Sequence, residues 1–300
     1  MDIPWQDVAL FLAVAETGSL SAAARRLRVG QATVSRRIAQ LEAEVGRALF
    51  HRGVEGAQLT AAGQRIMPVA QRMAESAGEL ARLLQEGEAA PQGTVRIAAS
   101  PGVGADFMVP FALELRHALP DIRLEVLASI GHVDLVRHEA DIALRNRPPT
   151  QRELIQVAKL TVPVRAFAHR DYVATLPAKP TMADVQWITW APPYDQLPPR
   201  PQLEAGIEGF VPAFTSDDFL VQWRAAEAGL GAIFLGGTQH RFSRQSPLVP
   251  IELGLEIFDS TYLVMAKTML GVPRVRVVLE RLLAELEAVQ DAQVQVNLPD

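Results

Sequence analysis

Residues 11–38 read FLAVAETGSLSAAARRLRVGQATVSRRI, and their apolar residues recur at the spacing of short amphipathic helices. A first helix ends at Gly18, a second is capped by Ser19 or Ser21, and a third begins at Gln31. The apolar positions of the first and third helices are Val8, Phe11, Leu12, Ala15, Val34, Ile38, Leu41 and Val45. This pattern predicts a helix-turn-helix.

The first turn of the third helix carries side chains that can read DNA bases. In a helix-turn-helix, the second helix of the pair enters the major groove and places its first residues against base edges. Because Val34 and Ile38 face inward, the outer face of the helix carries Gln31, Ala32, Ser35 and Arg36. Glutamine can pair with adenine, arginine with guanine, and alanine can touch a thymine methyl group. We therefore expect this helix to specify a DNA sequence.

A wing completes the predicted DNA-binding domain, which covers residues 1–60. Residues 46–60 contain three glycines and two short apolar patches, which favours a two-stranded β hairpin. Ser21 and the wing residue Arg52 are placed to contact phosphate groups. The predicted DNA-contacting residues are Ser21, Gln31, Ala32, Thr33, Ser35, Arg36 and Arg52. The alternative is a plain three-helix bundle whose polar face is solvated.

A long linker helix is predicted over residues 61–88, followed by a hinge over residues 89–93. Along the linker helix, apolar residues follow one another at alternating spacings of four and three residues, which is typical of a coiled coil. The residues of this stripe are Ile66, Ala70, Met73, Ala77, Leu80 and Leu84. A solitary helix would expose the stripe to water, so the pattern predicts a homodimer held by Ile66, Met73, Leu80 and Leu84. The alternative is that the stripe packs on its own domain.

Composition places the chain among ordinary globular proteins. It has 300 residues, 49% of them hydrophobic, and no cysteine, which excludes disulfides and thiolate metal sites. No apolar run approaches membrane-spanning length and no secretory signal opens the chain, so we expect a cytoplasmic protein without a membrane partner. Residues 1–72 hold nine arginines against six carboxylates, whereas the whole chain has a net charge of −5. A basic module on an acidic body is typical of a DNA-binding protein.

The character of the sequence changes after Gly93. Alternating strands and helices follow, which predicts a parallel sheet with right-handed crossovers. The expected elements are strands at 94–99, 122–128, 140–144, 160–169, 187–191 and 232–235, two strands within 249–266, and helices at 104–118, 133–138, 219–228 and 273–289. Residues 291–300 are expected to form a loose tail.

The chain resembles the LysR-type transcriptional regulators along its whole length. The matching N-terminal stretches are Phe11–Leu27, Gln31–Ile38, Leu41-Glu42, Gly46–Arg52, Leu59-Thr60 and Ala62-Gly63. Weaker matches follow in the family's order at Ser100-Pro101, Val109-Pro110, 120–124, Asp134-Leu135, 140–145 and 228–231. The chain departs from the family at Gly30, where serine is usual, and at Ala32, where proline is usual. Glu55 stands in the wing where the family commonly has another arginine, which should weaken phosphate binding.

The resemblance implies an α+β multi-domain protein. A winged helix-turn-helix and linker helix would precede a two-lobe α/β effector domain like the periplasmic binding proteins, over residues 94–300. Lobe one would comprise residues 94–162 and 268–300, and lobe two residues 163–267. The family also implies control by a small-molecule effector and homotetramers built from two dimers.

Small ligands bind open α/β sheets at the carboxyl ends of their strands. The residues at those ends, which are the predicted effector contacts, are Ser100, Val103, Arg145, Thr161, Trp190, Ser216, Asp217 and Phe234. Hydroxyl groups and Arg145 suit an organic acid, whereas Asp217 and Asp218 suit a neutral or cationic ligand, and both classes stay open. Each residue also has a purely structural alternative, such as an N-cap for Ser216 or core packing for Trp190.

These observations predict a sequence-specific transcriptional regulator that binds promoter DNA and is controlled by an effector. The chain lacks the spacings of catalytic nucleophiles, dinucleotide sites and histidine metal sites, so we expect neither an enzyme nor a cofactor or metal. The remaining alternatives are a solute-binding protein with an added N-terminus and an enzyme built on the same lobes.

Overall fold

The computed structural model describes residues 3–53, 56–83, 90–131, 133–289 and 292–297. The chain divides into two compact units, Met1–Ala90 and Pro91–Asp300. The division lies inside the predicted hinge. The other limits of the predicted segments stay predictions, apart from one lobe boundary discussed below.

The first unit is a three-helix core with a hairpin and a long following helix. Its elements are α1 (Trp5–Thr17), α2 (Leu20–Leu27), α3 (Gln31–Val45), β1 (Phe50–Gly53), β2 (Gly56–Leu59) and α4 (Ala61–Leu83). The two strands pair antiparallel, as expected of a wing. The predicted inward positions Phe11, Val34 and Ile38 are buried, whereas Ala15 and Val45 are only half-buried at the rim of the core. Of the two serines offered as the cap of α2, Ser19 takes that role, because its side chain accepts a hydrogen bond from the Ala22 N–H.

The second unit is an α/β structure built on one eight-stranded mixed sheet. In chain order its elements are β3 (Gly93–Ala99), α5 (Pro101–Val103), a π-helical turn (Gly104–Met108), α6 (Val109–Ala118), β4 (Ile122–Ala128), β5 (Ile142–Arg145), β6 (Leu154–His169), α7 (Arg170–Val173), a 3-10 turn (Met182–Asp184), β7 (Ile188–Trp190), α8 (Arg200–Gly206), β8 (Phe214–Ser216), α9 (Phe219–Glu227), β9 (Ile233–Gly236), β10 (Leu248–Ile251), β11 (Ile257–Ala266), a second 3-10 turn (Lys267–Met269), α10 (Pro273–Glu287) and β12 (Gln293–Val296).

The long strand β6 runs through both lobes and joins them. The sheet runs β10-β6-β11-β5-β3-β4, and β9 and β12 also pair with β6. Strands β3, β4 and β5 are parallel, which confirms the predicted parallel arrangement for lobe one. The core of lobe one gathers around Ile97, Ile142 and Val278, and a separate core in lobe two surrounds Trp187.

Three local expectations are wrong. Residues 263–266, assigned to lobe two, are buried in lobe one because this end of β11 pairs with β5, so the second crossing lies nearer the start of β11. Residues 135–138 form a turn rather than a helix, with His138 in the left-handed region at φ 55°. The expected tail contains β12, because Gln293–Val296 alternates and finds a free edge of β6. Among the described helices, none has the length and apolar character needed to cross a bilayer.

Candidate DNA-binding surface and effector cleft

The N-terminal end of α3 presents a polar face next to a buried one. Val34 and Ile38 are buried, whereas Gln31, Ala32 and Arg36 are exposed. The predicted contacts Thr33 and Ser35 are half-buried. The exposed side chains occupy the positions that a recognition helix directs at base edges.

Two adjacent arginines on α3 have different surroundings. Arg37 is held by α1, because its Nε lies 2.7 Å from Asp7 Oδ1 and its Nη1 donates to Gln6 Oε1 at 2.9 Å. Arg36 is exposed and forms no ion pair with any residue that the structure describes. Arg36 can therefore reach a base or phosphate, whereas Arg37 positions α3 on α1. Asp7 lies 30 residues before Arg37 in the chain, so no local pattern in the sequence indicates this contact.

The wing is fixed to both α3 and α1. Glu42 Oε1 accepts hydrogen bonds from the N–H groups of Leu49 (2.8 Å) and Phe50 (3.0 Å). On the other strand, the Ala57 N–H donates to the Gly18 carbonyl at 2.8 Å. A Cβ at Gly56 would lie 2.3 Å from that carbonyl oxygen, so only glycine allows this approach.

Glu42 belongs to the Leu41-Glu42 pair of the family motif, and the sequence reasoning missed its anchoring contacts with the wing. Its place in that motif, eight residues before β1 begins, is the signal that could have indicated this role. Ser21 is half-buried in the first turn of α2, where it follows the cap. Arg52 lies on β1 opposite Ala57, but its side chain and Glu55 fall outside the described residues.

The apolar stripe of α4 divides between two surroundings. Ala70 is buried in the core of the first unit, and Ile66 is half-buried against the same core. Met73 and Leu80 are 39% and 60% exposed, and Leu84 lies outside the described residues. The alternative that the stripe packs on its own domain thus describes its N-terminal part, while Met73 and Leu80 are left as an exposed apolar surface.

The predicted effector residues of lobe one approach lobe two at α5. Ser100 is exposed at the end of β3, and Val103 is half-buried at the end of α5. Phe219 is the first residue of α9 in lobe two. A Cβ at Gly102 would lie 2.7 Å from the ring of Phe219. The two lobes are therefore in contact beside Ser100. Phe219 was not among the predicted contacts.

Lobe two contributes an aromatic wall near this contact. The Trp190 ring lies 6.2 Å from Phe219 and 5.9 Å from Tyr194, measured between ring centroids. Its Nε1 donates to the Pro198 carbonyl at 3.1 Å, which holds the indole in place. An aromatic wall of this kind suits a ligand with an apolar part.

The segment between β8 and α9 combines capping with two exposed acidic residues. Asp218 is the N-cap of α9, and Oδ1 accepts from the N–H groups of Leu220 and Val221. Ser216 is not the cap, but its Oγ accepts from the Asp218 N–H at 3.1 Å. Asp217 is exposed. The Asp218 carboxylate is therefore already partly satisfied by backbone donors.

Phe234 is half-buried and packs against the core of lobe two. Its ring stacks on the buried Trp187 ring with centroids 4.8 Å apart and planes within 8°. This packing explains the aromatic residue without a ligand. A cavity of about 70 Å³ also borders Phe234, together with Val164, Arg165, Ala166, Ile251, Glu252, Leu253, Gly254 and Leu255. None of the other predicted effector residues lines it.

Thr161 and Arg145 lie where the strands cross between the lobes. Thr161 Oγ1 is 3.2 Å from Ser260 Oγ on the neighbouring strand. Arg145 is half-buried at the end of β5, and burial lowers the pKa of its guanidinium group. No cluster of three or more potential metal ligands occurs in the described ranges.

The loop between β9 and β10 joins lobe two to α6 and α10 of lobe one. Arg241 bonds to the carboxylates of Glu114 and Glu285, which raises the pKa of Arg241 and lowers that of Glu114. His240 Nε2 lies 3.1 Å from Glu285 Oε2. Arg244 Nε lies 3.4 Å from Asp106 Oδ1 in the π-helical turn of lobe one. These ion pairs connect the two lobes away from the strand crossings.

A winged helix-turn-helix followed by a two-lobe α/β domain defines a class of ligand-responsive DNA-binding proteins. Residues 5–64 match the family model described as a bacterial regulatory helix-turn-helix protein of the lysR family, and residues 88–287 match the LysR substrate binding domain. The chain belongs to the LysR family of bacterial regulators.

Curated relatives match part of the chain. The regulator DmlR of Escherichia coli is 34% identical over 139 residues, 46% of this chain and 45% of DmlR. CrgA of Neisseria meningitidis serogroup C is 29% identical over 140 residues, 47% of each chain. The matched stretch thus spans about half the length of these curated relatives. Both are named as HTH-type transcriptional regulators.

Solved structures share the fold over nearly the whole chain. CrgA from Neisseria meningitidis has a TM-score of 0.53 at 22% identity and covers 95% of this chain and 99% of its own. A full-length OxyR variant from Pseudomonas aeruginosa has a TM-score of 0.61 at 19% identity and covers both chains completely. CbnR, solved in complex with its target DNA, has a TM-score of 0.56 at 20% identity, covering 95% of this chain and 99% of its own.

Proposed function

We propose that this chain is a sequence-specific DNA-binding transcriptional regulator. The observation that carries the proposal is the first turn of α3, where Gln31, Ala32 and Arg36 are exposed beside a buried, anchored face. The similar protein CbnR has been solved with its target DNA, which supports the same use of the first unit here. Ser21, Thr33, Ser35 and Arg52 complete the proposed contacts, and a protein that acts on promoter DNA would work in the cytoplasm.

The regulator would bind DNA as a homodimer through α4. Met73 and Leu80 expose apolar surface that a second copy of the helix would cover, and Ile66 and Leu84 would extend the seam at its two ends. Two copies place two recognition helices on one partly palindromic site. Homotetramers are proposed on the family resemblance alone.

The two lobes would bind a small-molecule effector that changes DNA binding. Ser100, Val103, Thr161, Arg145, Trp190, Ser216, Asp217 and Phe234 remain the proposed contacts, and the approach of Gly102 to Phe219 adds support on the Ser100 side. A ligand that binds one arrangement of the lobes more tightly shifts the population toward that arrangement. Phe234 has the weakest support of the set, because its ring already packs on Trp187.

Footprinting of the region beside the protein's own gene tests the proposal. The full chain should protect a partly palindromic site, and competitor DNA of random sequence should not remove that protection at equal concentration. A double variant, Gln31→Ala with Arg36→Ala, should lose the protected site while remaining folded. Protection that is equal on every fragment, or none at all, would contradict the proposed function.

A further inference from the structure

A row of polar residues crosses the sheet at the level where β5 ends. Tyr262 on β11 pairs with Arg145 on one side and with Lys159 on the other, and Lys159 pairs in turn with Gln295 on β12. Residues directly opposite one another in antiparallel strands project from the same face of a sheet. The four side chains therefore share one face.

A second polar row lies two residues further along the same strands. Side chains alternate along a strand, so Thr161 and Ser260 share the face of Lys159 and Tyr262. The 3.2 Å distance between their hydroxyl oxygens agrees with this placement. Gln293 pairs with Thr161 and extends the row onto β12. The two rows place hydroxyl and amide groups next to two cations, and neither row includes a carboxylate.

The two cations of this face have no carboxylate partner in the part of the chain that the structure describes. Arg145 is half-buried, its Nε atom is fully buried, and that atom has no hydrogen-bond partner. A buried polar group without a partner costs free energy, and more so when it is charged. Burial also lowers the pKa of Arg145, because desolvation disfavours the charged guanidinium group.

Lys159 extends over its neighbour Tyr262. Its Nζ lies 5.9 Å from the centroid of the Tyr262 ring, which is the residue that separates the two cations in the row. Neighbouring strands are about 4.8 Å apart, so the backbones of Arg145 and Lys159 are about 10 Å apart. Two side chains of this length can converge on one small anion between them.

The surroundings make this local charge distinctive. The chain as a whole is acidic, with a net charge of −5, yet this face holds two adjacent cations. Asp259 is the neighbouring carboxylate in the chain, but alternation places it on the opposite face, and its Oδ1 accepts the Ser260 N–H at 2.7 Å. A positive face within an acidic body selects negatively charged ligands.

We infer that this face binds the carboxylate of a small organic acid between Arg145 and Lys159. Thr161 and Ser260 supply hydrogen bonds, and the Tyr262 ring contacts the planar acid from below. Arginine pairs bidentately with a carboxylate, which provides both affinity and orientation. The inference rests on the proposed function, because it names the ligand class of the same effector domain and adds Lys159, Ser260 and Tyr262 to its contacts.

Thermal shift and calorimetry on the full chain test this inference with acid and amide pairs. The probes are succinate and benzoate, their neutral counterparts succinamide and benzamide, inorganic phosphate, and sodium chloride at equal ionic strength. At least one acid should raise the melting temperature by several degrees more than its amide does. Arg145→Gln and Lys159→Gln should each weaken binding of that acid about tenfold or more, as expected for a lost charge-assisted hydrogen bond.

Lys179→Gln is the matched control, because Lys179 is exposed in lobe two and should leave acid binding unchanged. Circular dichroism and the ligand-free melting temperature check that each variant folds, and Lys159→Gln keeps the test valid should Arg145→Gln unfold. Equal stabilisation by acid and amide, stabilisation by phosphate alone, or full binding by the folded variants would overturn the inference.

DNA binding by the same preparations separates this inference from the proposed function. If the wild-type chain protects its DNA site but no acid binds through Arg145 and Lys159, only the ligand class is wrong. If the chain binds an acid at this face but protects no DNA site, the inference stands as a binding site and the proposed regulatory function is wrong.

Discussion

The two compact units differ in how far apart in sequence their stabilising contacts lie. In the first unit, the Ser19 side chain accepts a hydrogen bond from the N–H three residues later, and the Glu42 carboxylate accepts from the N–H groups seven and eight residues later. In the second unit, Thr161 bonds to Ser260 across 99 residues, and Arg274 donates to the Thr94 carbonyl across 180 residues. Local contacts leave a pattern in a short window of sequence, whereas distant contacts do not. Sequence patterns therefore predict the elements that carry the proposed DNA contacts more readily than the pairings that bring the proposed effector contacts together.

The largest expected effect concerns the exposed apolar surface of Met73 and Leu80 on α4. Leu80→Asp should bury a charge in the proposed dimer seam, at a cost of about 3–5 kcal/mol in the free energy of association. Sedimentation equilibrium should then show monomers, and footprints of two half-sites should disappear. Gln71→Asp, on the exposed polar side of α4, is the control and should remain dimeric. Dimers of unchanged affinity in Leu80→Asp would refute the seam.

The next prediction tests whether the two units unfold independently. A Cβ at Gly63 would lie 2.4 Å from the Leu49 carbonyl oxygen and 2.8 Å from Leu59 Cδ2. Gly63→Ala should therefore destabilise the first unit by about 1–3 kcal/mol through overpacking. Differential scanning calorimetry should show one transition lowered and the other unchanged. Gly53→Ala, whose Cβ would meet nothing within 4 Å, should melt like the wild type.

A third prediction distinguishes residues of α3 that contact DNA bases from the residue that positions α3 on α1. Gln31→Ala and Arg36→Ala should each weaken binding to the cognate site by about 1–3 kcal/mol and affect random DNA much less. Arg37→Ala should instead weaken both to a similar degree, because Arg37 positions α3 through Asp7. Fluorescence anisotropy with cognate and random duplexes distinguishes these effects. Equal losses for Arg36→Ala on both duplexes would leave it only a phosphate contact.

The smallest effect concerns the ion pairs that join the two lobes. Arg241 lowers the pKa of Glu114, so this carboxylate stabilises the folded state above its usual pKa of 4.5 and stops doing so as pH falls through the lowered value. Wild-type protein should melt at a slightly higher temperature than Glu114→Gln at pH 7, and the difference should shrink below about pH 4.5. Glu280→Gln, which removes an exposed pair with Arg276, is the control. A difference that is constant with pH would show that Glu114 acts through packing alone.

Much of the fold could be predicted from the sequence because helix periodicity and strand alternation are local. The periodic positions Phe11, Val34 and Ile38 are buried as expected, and the parallel strands of lobe one follow from alternating elements. β12 was missed because Gln293–Val296 is short and half polar, and only the free edge of β6 makes it a strand. The lobe boundary near residue 266 was misplaced because pairing of β11 with β5 cannot be seen within either strand.

The residues of the candidate sites likewise divide into those that local sequence patterns predict and those that depend on contacts between distant segments. The exposure of Gln31 and Arg36 follows from helix geometry, whereas the separate role of Arg37 depends on Asp7 in another helix. The ends of the predicted strands led to Arg145 and Thr161 as proposed effector contacts. The neighbours Lys159, Ser260 and Tyr262 became visible only through the register of β6 and β11. Register between distant strands is the information that the residue pattern did not contain.

The pairing of β12 with β6 has a practical consequence for anyone who shortens the protein. β6 is 16 residues long, and β12 covers the backbone of Ala158–Thr161 on one of its sides. A truncation after α10 would turn that stretch into an open edge, and open edges recruit strands from other molecules. Such a fragment should aggregate more readily than the full chain. By pairing with this part of β6, the four residues of β12 should protect the protein from aggregation through an exposed strand edge.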